Sequence, residues 1–236
     1  MRNTLGRRLG GVCMQPDEIA IGEGYERGLK GVGPFSWYMR WYLRRRRPVE
    51  VPAVLASLGA GPYTRVLDAG CGTGLWLADL YTRGHGHTAL AGVDVSALML
   101  DDARQRLARL VAPGTVVDLR VCSATELPFP DASFDLVMAN AMVKHLDDEP
   151  FARFLAEALR VLGSGGRISV WDFGRPLLRL PQAKPTNPAL ELKNLRTSDI
   201  LIDALAAAGF DEAAPYTLKR PWRMPVTLEG AVATRP

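Results

Sequence analysis

The sequence predicts a doubly wound α/β fold with a mainly parallel sheet, and two observations support this prediction. Short apolar runs alternate with amphipathic segments between residues 65 and 208, which is the pattern of strands connected by crossover helices. The first run, Val66 and Leu67, continues into Asp68 and a glycine-rich turn, and an apolar helical face begins at Leu75. Because glycine lets the backbone approach a ligand closely, we expect a ligand site at this strand-to-helix junction.

The elements follow from periodicity and from turn residues. Strands are predicted over residues 65–69, 89–94, 116–121, 134–139 and 167–171, and helices over 75–83, 97–110, 150–162 and 197–208. The second helix ends at the turn sequence Val111-Ala112-Pro113-Gly114, and Gly209 follows the last helix as a stop signal.

The glycine turn predicts an amino-acid-like ligand. Gly70, Gly72 and Gly74 are spaced G-x-G-x-G, whereas a dinucleotide fingerprint needs G-x-G-x-x-G. An acid at the end of the strand, Asp68, suits a cationic amine, and bare amides of the turn can bind a carboxylate. A second interpretation stays open, in which Asp68 only caps the turn.

Asp94 ends the next predicted strand. It lies about 20 residues beyond the turn, which is where a doubly wound fold places its ribose-binding carboxylate. Alternatively, Asp94 caps the helix that starts near Ser96. Because Asp68 and Asp94 occur together at ligand spacing, binding is favoured over capping.

Two further segments complete the pattern: a loop and strand over residues 122–137, and a helix, glycine turn and strand over residues 159–168. With these segments in order, the chain resembles the class I S-adenosylmethionine-dependent methyltransferases from about Tyr63 to about Phe210. The resemblance implies a Rossmann-like, seven-stranded sheet that closes with a C-terminal antiparallel hairpin, at residues 213–219 and 226–233, and that is preceded by an N-terminal helical extension. It also implies an enzyme with S-adenosylmethionine as cofactor.

The resemblance assigns roles to individual residues. Asp68 and the Gly70 backbone would hold the methionyl amino end, Asp94 the ribose hydroxyls, Leu98 or Met99 the adenine face, and the Ala124 amide the adenine edge. The implied cofactor-binding residues are Asp68, Gly70, Gly72, Gly74, Asp94, Val95, Met99, Ser123, Ala124 and Asn140. Ser123 departs from the pattern, because many members carry Asp there, and a neutral hydroxyl in its place costs about 1 kcal/mol of cofactor affinity.

The chemistry that the resemblance implies is methyl transfer to a small-molecule or lipid-like acceptor, with a hydroxyl oxygen as the expected acceptor atom. Nitrogen or carbon methylation, and a non-catalytic cofactor-binding protein, are the alternatives. His145 follows the fourth predicted strand at the carboxyl edge of the sheet, where an imidazole could act as a base or serve only as a structural hydrogen-bond partner.

Acceptor contacts are expected from the segments that vary around the common core. Tyr38, Trp41, Asp172 and Arg175 are the candidates, with Trp222 as a further one, although Asp172 could equally cap a helix or belong to a loop. An acceptor with an apolar body and a polar or anionic end, such as a quinone, a polyketide or a lipid precursor, would suit the many aromatic and arginine residues.

Composition limits the other classes. The 236 residues are 47% hydrophobic, and this length permits one sizeable α/β domain or two small ones. Together with the resemblance, we expect one methyltransferase domain over residues 51–236 with an extension over residues 1–50. The three cysteines predict no disulfide framework. No metal site is predicted, because His85 and His87 have no evident third ligand. No apolar run approaches the roughly 20 residues of a membrane span. The basic N-terminus is not followed by the continuous apolar segment of a secretory signal, so a cytoplasmic location is expected.

The extension contains an aromatic and basic segment from Phe35 to Arg47. If this segment is helical, one face is formed by Phe35, Tyr38, Met39, Tyr42 and Leu43, and Trp37 and Trp41 flank that face. Arg44 to Arg47 then lie at the helix C-terminus, where cations are favoured. It could be a lid over the cofactor site, or a surface that contacts anionic lipid at the inner membrane. Nucleic acid is disfavoured because the net charge is only +4 and no RNA-binding module is evident. The oligomeric state is not predicted.

Overall fold

The computed structural model describes residues 7–9, 12–34, 36–37, 40–41, 51–59, 63–83, 88–176, 193–217 and 226–236. The strands are β1 (Arg7–Leu9), β2 (Val12–Met14), β3 (Arg65–Ala69), β4 (Ala89–Asp94), β5 (Val116–Val121), β6 (Phe134–Asn140), β7 (Leu162–Pro176), β8 (Asp211–Thr217) and β9 (Val226–Thr234). The helices are α1 (Pro16–Lys30), α2 (Val51–Leu58), α3 (Leu75–Thr82), α4 (Ala97–Ala108), α5 (Asp148–Val161) and α6 (Ser198–Ala207), with a 3₁₀ turn at Val143–His145.

The predicted fold class is confirmed. The main sheet has seven strands in the order β5-β4-β3-β6-β7-β9-β8. Strands β3 to β7 pair in parallel, whereas β9 is antiparallel to both β7 and β8, which forms the predicted C-terminal hairpin. The chain winds outward in both directions from β3 and β6, so the topological switch point, where such sheets bind ligands, lies between these two strands.

The two faces of the sheet bury separate cores because successive side chains of a strand point to opposite sides. Leu67, Val93 and Val137 face the core that is covered by α5 and α6. Val66 and Leu136 face the core that is covered by α2, α3 and α4. Helices on both faces leave the carboxyl edge of the parallel strands as the place for a site.

Strand β7 is longer than the predicted segment at residues 167–171. Its pairing with β6 shifts register between Phe134 and Leu136, because the glycine segment at residues 163–166 forms a bulge rather than a free turn. Its far end continues to Pro176 because it pairs with β9. Pairing with a distant strand leaves no local mark in the sequence, so the extension could not be predicted.

Helix α1 is not among the individual helices that the sequence predicts. Gly22, Gly24 and Gly28 are all buried within it, and a Cβ atom on Gly22 would lie 3.1 Å from the Val95 carbonyl oxygen. The glycines therefore let α1 pack directly against the loop that follows β4. Helix start signals were present: Pro16 at the first position and acidic residues in the first turn.

Candidate functional site

The centre of the candidate site is a carboxylate at the switch point. Asp68, at the end of β3, is 1% exposed, and its Oδ1 accepts a hydrogen bond of 3.1 Å from Asn140 Nδ2, at the end of β6. Burial, opposed in part by the Asn140 hydrogen bond, raises the pKa of Asp68 to about 8. Asn140 Oδ1 is buried and has no hydrogen-bond partner among the described residues. Asp68 and Asn140 thus each present an oxygen acceptor, and among the described residues no cationic side chain donates to either.

The glycine turn between β3 and α3 needs glycine for conformational and steric reasons. Gly70 and Gly72 have φ angles of 76° and 53°, in the left-handed region that L residues with a Cβ disfavour. A Cβ on Gly70 would lie 2.5 Å from Met142 Cγ, and one on Gly72 would lie 2.7 Å from Met99 Cε. The turn is therefore packed between the segments that follow β6 and β4.

The prediction that the turn offers bare amides to a carboxylate is wrong for four of its N–H groups. The amides of Gly70 and Cys71 donate to the Val93 carbonyl oxygen at 2.8 and 3.0 Å, and the Gly74 amide donates to the Cys71 carbonyl oxygen at 2.9 Å. The Gly72 amide donates to Asp94 Oδ2 at 2.8 Å. These amides stabilise the turn itself because β4 lies directly beside it.

Asp94 connects two loops of the site. Besides the Gly72 amide, it accepts a hydrogen bond of 2.9 Å from the Ser96 amide through Oδ1. The helix cap is Ser96 rather than Asp94, because Ser96 Oγ accepts a 3.2 Å hydrogen bond from the Met99 amide. Burial raises the pKa of Asp94, and the amide hydrogen bonds oppose that shift.

The end of β5 holds Ser123, which is fully buried, next to Ala124. Ser123 Oγ accepts a hydrogen bond of 3.0 Å from the Thr125 amide and lies 2.7 Å from Thr125 Oγ1. It donates to Glu18 Oε1 of α1. The predicted cofactor-binding residues Val95 and Met99 lie at the same edge, where Val95 contacts α1 at Gly22 and Met99 contacts the turn at Gly72.

His145 lies in the 3₁₀ turn after β6, and its Nε2 is 3.1 Å from the hydroxyl of Tyr25 on α1. The two rings meet edge to face, with centroids 6.0 Å apart. Burial and the neighbouring Lys144 ammonium lower the pKa of His145 to about 2, so its imidazole is neutral at pH 7. A cavity of about 210 Å³ between the starts of α1 and α5 is lined by both His145 and Glu18.

A buried ion pair holds the turn that carries His145. Lys144 and Asp172 are 4% and 2% exposed, and Lys144 Nζ lies 3.6 Å from Asp172 Oδ1. Asp172 also accepts hydrogen bonds from the amides of Lys144, at 2.8 Å, and Phe173, at 2.7 Å. Burial lowers the pKa of Lys144, and Asp172 opposes that shift. Because the donors to Asp172 come from the chain itself, its predicted contact with the acceptor stays a prediction.

We expect Lys144→Ala to lower the free energy of unfolding by about 3 kcal/mol, because it leaves the buried Asp172 carboxylate with its backbone donors only. Urea denaturation followed by circular dichroism measures the loss. Arg104→Ala is the control, since its ion pair with Asp101 is exposed and should contribute less than about 1 kcal/mol. Equal losses in both variants would contradict a stabilising role for the buried pair.

The other predicted acceptor contacts are only partly described. Tyr38, Trp222 and most of the segment from Phe35 to Arg47 lie outside the described residues, as do His85 and His87. Trp41 is helical and 43% exposed. The backbone of Arg175 lies in β7, but its side chain is outside the described set. The lid and membrane interpretations of this segment therefore stay predictions.

No cluster of three or more histidine, cysteine or acidic side chains is arranged to hold a metal ion in the part of the chain that the structure describes. In the same part, every helix is too short or too polar to cross a membrane.

Sequence reasoning missed four residues that build the site: Glu18, Tyr25, Lys144 and Arg196. Arg196 is 5% exposed and donates to the carbonyl oxygens of Val143, at 2.9 Å, and Leu146, at 3.0 Å, so it clamps the turn of His145. The start signals of α1 could have revealed Glu18 as a first-turn residue. No local signal marks the other three, because their partners are distant in the sequence.

The matching family model is a methyltransferase domain, and curated proteins that this chain resembles are named methyltransferases. Residues 66–166 match a family model described as a methyltransferase domain. The chain is 36% identical over 123 residues to a ubiquinone/menaquinone biosynthesis C-methyltransferase of Desulfotalea psychrophila, a match that covers 52% of this chain and 47% of that protein. A probable S-adenosylmethionine-dependent methyltransferase of Mycolicibacterium smegmatis is 33% identical over 146 residues, covering 62% and 51%. The chain spans about half the length of these curated relatives.

Solved structures with the same fold include two methyltransferases. A phosphoethanolamine N-methyltransferase of Haemonchus contortus superposes with a TM-score of 0.72 at 16% identity, covering 92% of this chain and 60% of that one. Geranyl diphosphate C-methyltransferase of Streptomyces coelicolor gives a TM-score of 0.66 at 18% identity, covering 94% and 98%. At this level of identity the likeness establishes the fold.

Proposed function

We propose that this chain binds S-adenosylmethionine and transfers its methyl group to a small or lipid-like acceptor, a proposal supported by the match of residues 66–166 to a methyltransferase domain model. The observation that carries the proposal is the buried Asp68 carboxyl beside the unpartnered Asn140 Oδ1. A cation that donates several hydrogen bonds is the group that this pair lacks.

The methionyl ammonium group of S-adenosylmethionine fits this requirement. Its N–H donors would satisfy Asn140 Oδ1 and Asp68 together, and its positive charge would stabilise the carboxylate that burial now disfavours. The Gly70 backbone borders the same position. A cost of burial in the free protein is thus offset when the ligand binds.

Asp94 would accept the two ribose hydroxyls, since one carboxylate can accept hydrogen bonds from two adjacent donors while it keeps its amide contacts. Met99 and Val95 would pack on the adenine, and Ser123 and Ala124 would border its edge. These positions lie along the ends of β3, β4 and β5, which are neighbours in the sheet, so one extended ligand would contact them in order.

Bound S-adenosylmethionine supplies an electrophilic methyl group on a sulfonium. We favour a ring carbon next to an ionisable hydroxyl as the acceptor atom, because relatives that match about half of the chain are named ubiquinone/menaquinone biosynthesis C-methyltransferases. The hydroxyl oxygen itself is the second candidate. Either acceptor becomes more nucleophilic when that hydroxyl loses its proton, so both require a base at the site.

His145 is our candidate for this base. Its imidazole is neutral, so one ring nitrogen has a lone pair that can accept a proton, and Nε2 lies 3.1 Å from the Tyr25 hydroxyl. Its lowered pKa makes it a weak base in the present conformation, so proton transfer requires either displacement of Tyr25 or the approach of an anionic group. Alignment of acceptor and donor in the enclosed site would supply much of the remaining acceleration.

The test is incubation of the purified full chain with radiolabelled-methyl S-adenosylmethionine and three acceptor sets: prenylated hydroquinones, simple phenols, and phosphoethanolamine as an amine. We expect label in a hydroxyl-bearing ring compound, and product NMR distinguishes carbon from oxygen methylation. We expect His145→Gln to lower kcat by about 100-fold or more without changing affinity for S-adenosylhomocysteine. Transfer only to the amine, or an unchanged kcat in the variant, would contradict the proposed acceptor or the proposed base, respectively.

A further inference from the structure

The adenine end of the proposed crevice contains a carboxylate that comes from outside the core domain. Glu18 is in the first turn of α1, is 8% exposed, and directs Oε1 to Ser123 at the end of β5. Its Oε2 accepts a 2.8 Å hydrogen bond from the Gln15 amide at the start of the helix. Within the described part of the chain, no arginine or lysine forms an ion pair with Glu18. A buried acid in this position requires further donors.

Ser123 has no free lone pair with which to accept a hydrogen bond from a ligand. Its hydroxyl has two lone pairs and one proton. The Thr125 amide and the Thr125 hydroxyl both lie at hydrogen-bonding distance from the oxygen, and the proton is donated to Glu18. The acceptor capacity that remains at the end of β5 therefore belongs to the Glu18 carboxylate, whose oxygens retain lone pairs.

Three carboxylates then follow the edge of the sheet in strand order. Asp68 ends β3, Asp94 ends β4, and Glu18 lies over the end of β5. S-adenosylmethionine presents its donors in the matching order: an ammonium, a pair of ribose hydroxyls and the 6-amino group of adenine. We propose that Glu18 of α1 accepts the hydrogen bond of the adenine 6-amino group and so determines specificity for an adenine base, an inference that rests on the proposed function.

The packing of α1 keeps Glu18 at this position. Gly22 lies against Val95, Tyr25 contacts His145, and Glu26 Oε1 accepts a hydrogen bond of 3.2 Å from Ser96 Oγ. These contacts span the segments after β4 and β6, so α1 crosses the crevice with its first turn above β5. The proposed hydrogen-bond acceptor for adenine, Glu18, thus belongs to α1, the helix that covers the site.

The test uses calorimetry with S-adenosylhomocysteine and with its purine analogue, which lacks the 6-amino group. We expect the wild-type chain to bind the analogue about tenfold more weakly, the loss expected for one charge-assisted hydrogen bond. Glu18→Gln keeps a neutral carbonyl acceptor but loses the charge, so the discrimination should fall to about threefold. Glu23→Gln is the matched control, because Glu23 is on α1 with a side chain that is 63% exposed, and it should discriminate like the wild type.

A second variant separates recognition from a purely structural role. Adding Ser123→Asp to Glu18→Gln returns a carboxylate to the end of β5 and should restore discrimination. Equal binding of both ligands by the wild type, unchanged discrimination in Glu18→Gln, or equal weakening of both ligands in that variant would each overturn the role of Glu18. If the wild type binds neither ligand, the proposed function itself fails, and with it the inference.

Discussion

An Asp94→Ala variant is expected to bind S-adenosylhomocysteine about 100-fold more weakly than the wild type, or to show no measurable binding. The variant loses two charge-assisted hydrogen bonds to the ribose, each worth about 1.5 to 3 kcal/mol. It also loses the acceptor of the Gly72 amide, at 2.8 Å, so the glycine turn is less firmly held. Calorimetric titration at fixed pH measures the change in Kd.

Two controls define the Asp94 result. Asp94→Asn keeps one carbonyl oxygen and should bind with an intermediate affinity, about tenfold weaker than the wild type. Asp101→Ala removes an exposed acid of α4 that pairs with Arg104, and it should bind normally. Thermal melting without ligand verifies that each variant is folded. Wild-type affinity in a folded Asp94→Ala variant would remove Asp94 from the proposed site.

Binding of S-adenosylhomocysteine is expected to release about one proton at pH 7, and affinity should rise about tenfold per pH unit between pH 6 and pH 7. The reason is Asp68, whose pKa of about 8 in the free protein means that the carboxyl must lose its proton to pair with the ligand ammonium. Calorimetry in two buffers with different ionisation enthalpies measures the number of protons released. Asp68→Asn should release none and bind with little pH dependence.

The stability of the ligand-free protein should show the same ionisation with a definite sign. The folded-state pKa of Asp68 is raised above its ordinary value of 3.8, so its contribution to stability is fully present below about pH 4 and is lost as pH rises through about 8. In the wild type this loss should exceed that in Asp68→Asn. A wild type that releases no proton at pH 7 would mean that Asp68 is already ionised before the ligand binds, and would contradict the prediction.

Much of the cofactor side of the site could be predicted from the sequence because its signals are local. Asp68 and Asp94 end apolar strands, and Gly70 and Gly72 adopt the left-handed conformations that their turn requires. Ser123 was recognised as a departure from the family pattern. In each case the strand, the turn and the next helix lie within a few residues of one another, so spacing alone places the side chain at the carboxyl edge.

The partners of these residues could not be predicted in the same way. Glu18 meets Ser123 across 105 positions, and Tyr25 meets His145 across 120. The Gly72 amide was expected to face a ligand, but it is bound by Asp94, 22 positions away. Such contacts depend on how α1 and the loops pack against the finished sheet, which periodicity within a short window does not encode.

The sequence by itself determined the fold class, the order of strands and helices from β3 to α6, and the positions of Asp68, Asp94 and the glycine turn, because these follow from hydrophobic periodicity and backbone conformation over short distances. Only the tertiary structure decided which atoms have partners: Asn140 Oδ1, beside Asp68, has none among the described residues, Lys144 is buried with Asp172, and α1 brings Glu18 over β5. The physical reason is that burial and hydrogen bonding depend on the close approach of segments distant in the chain.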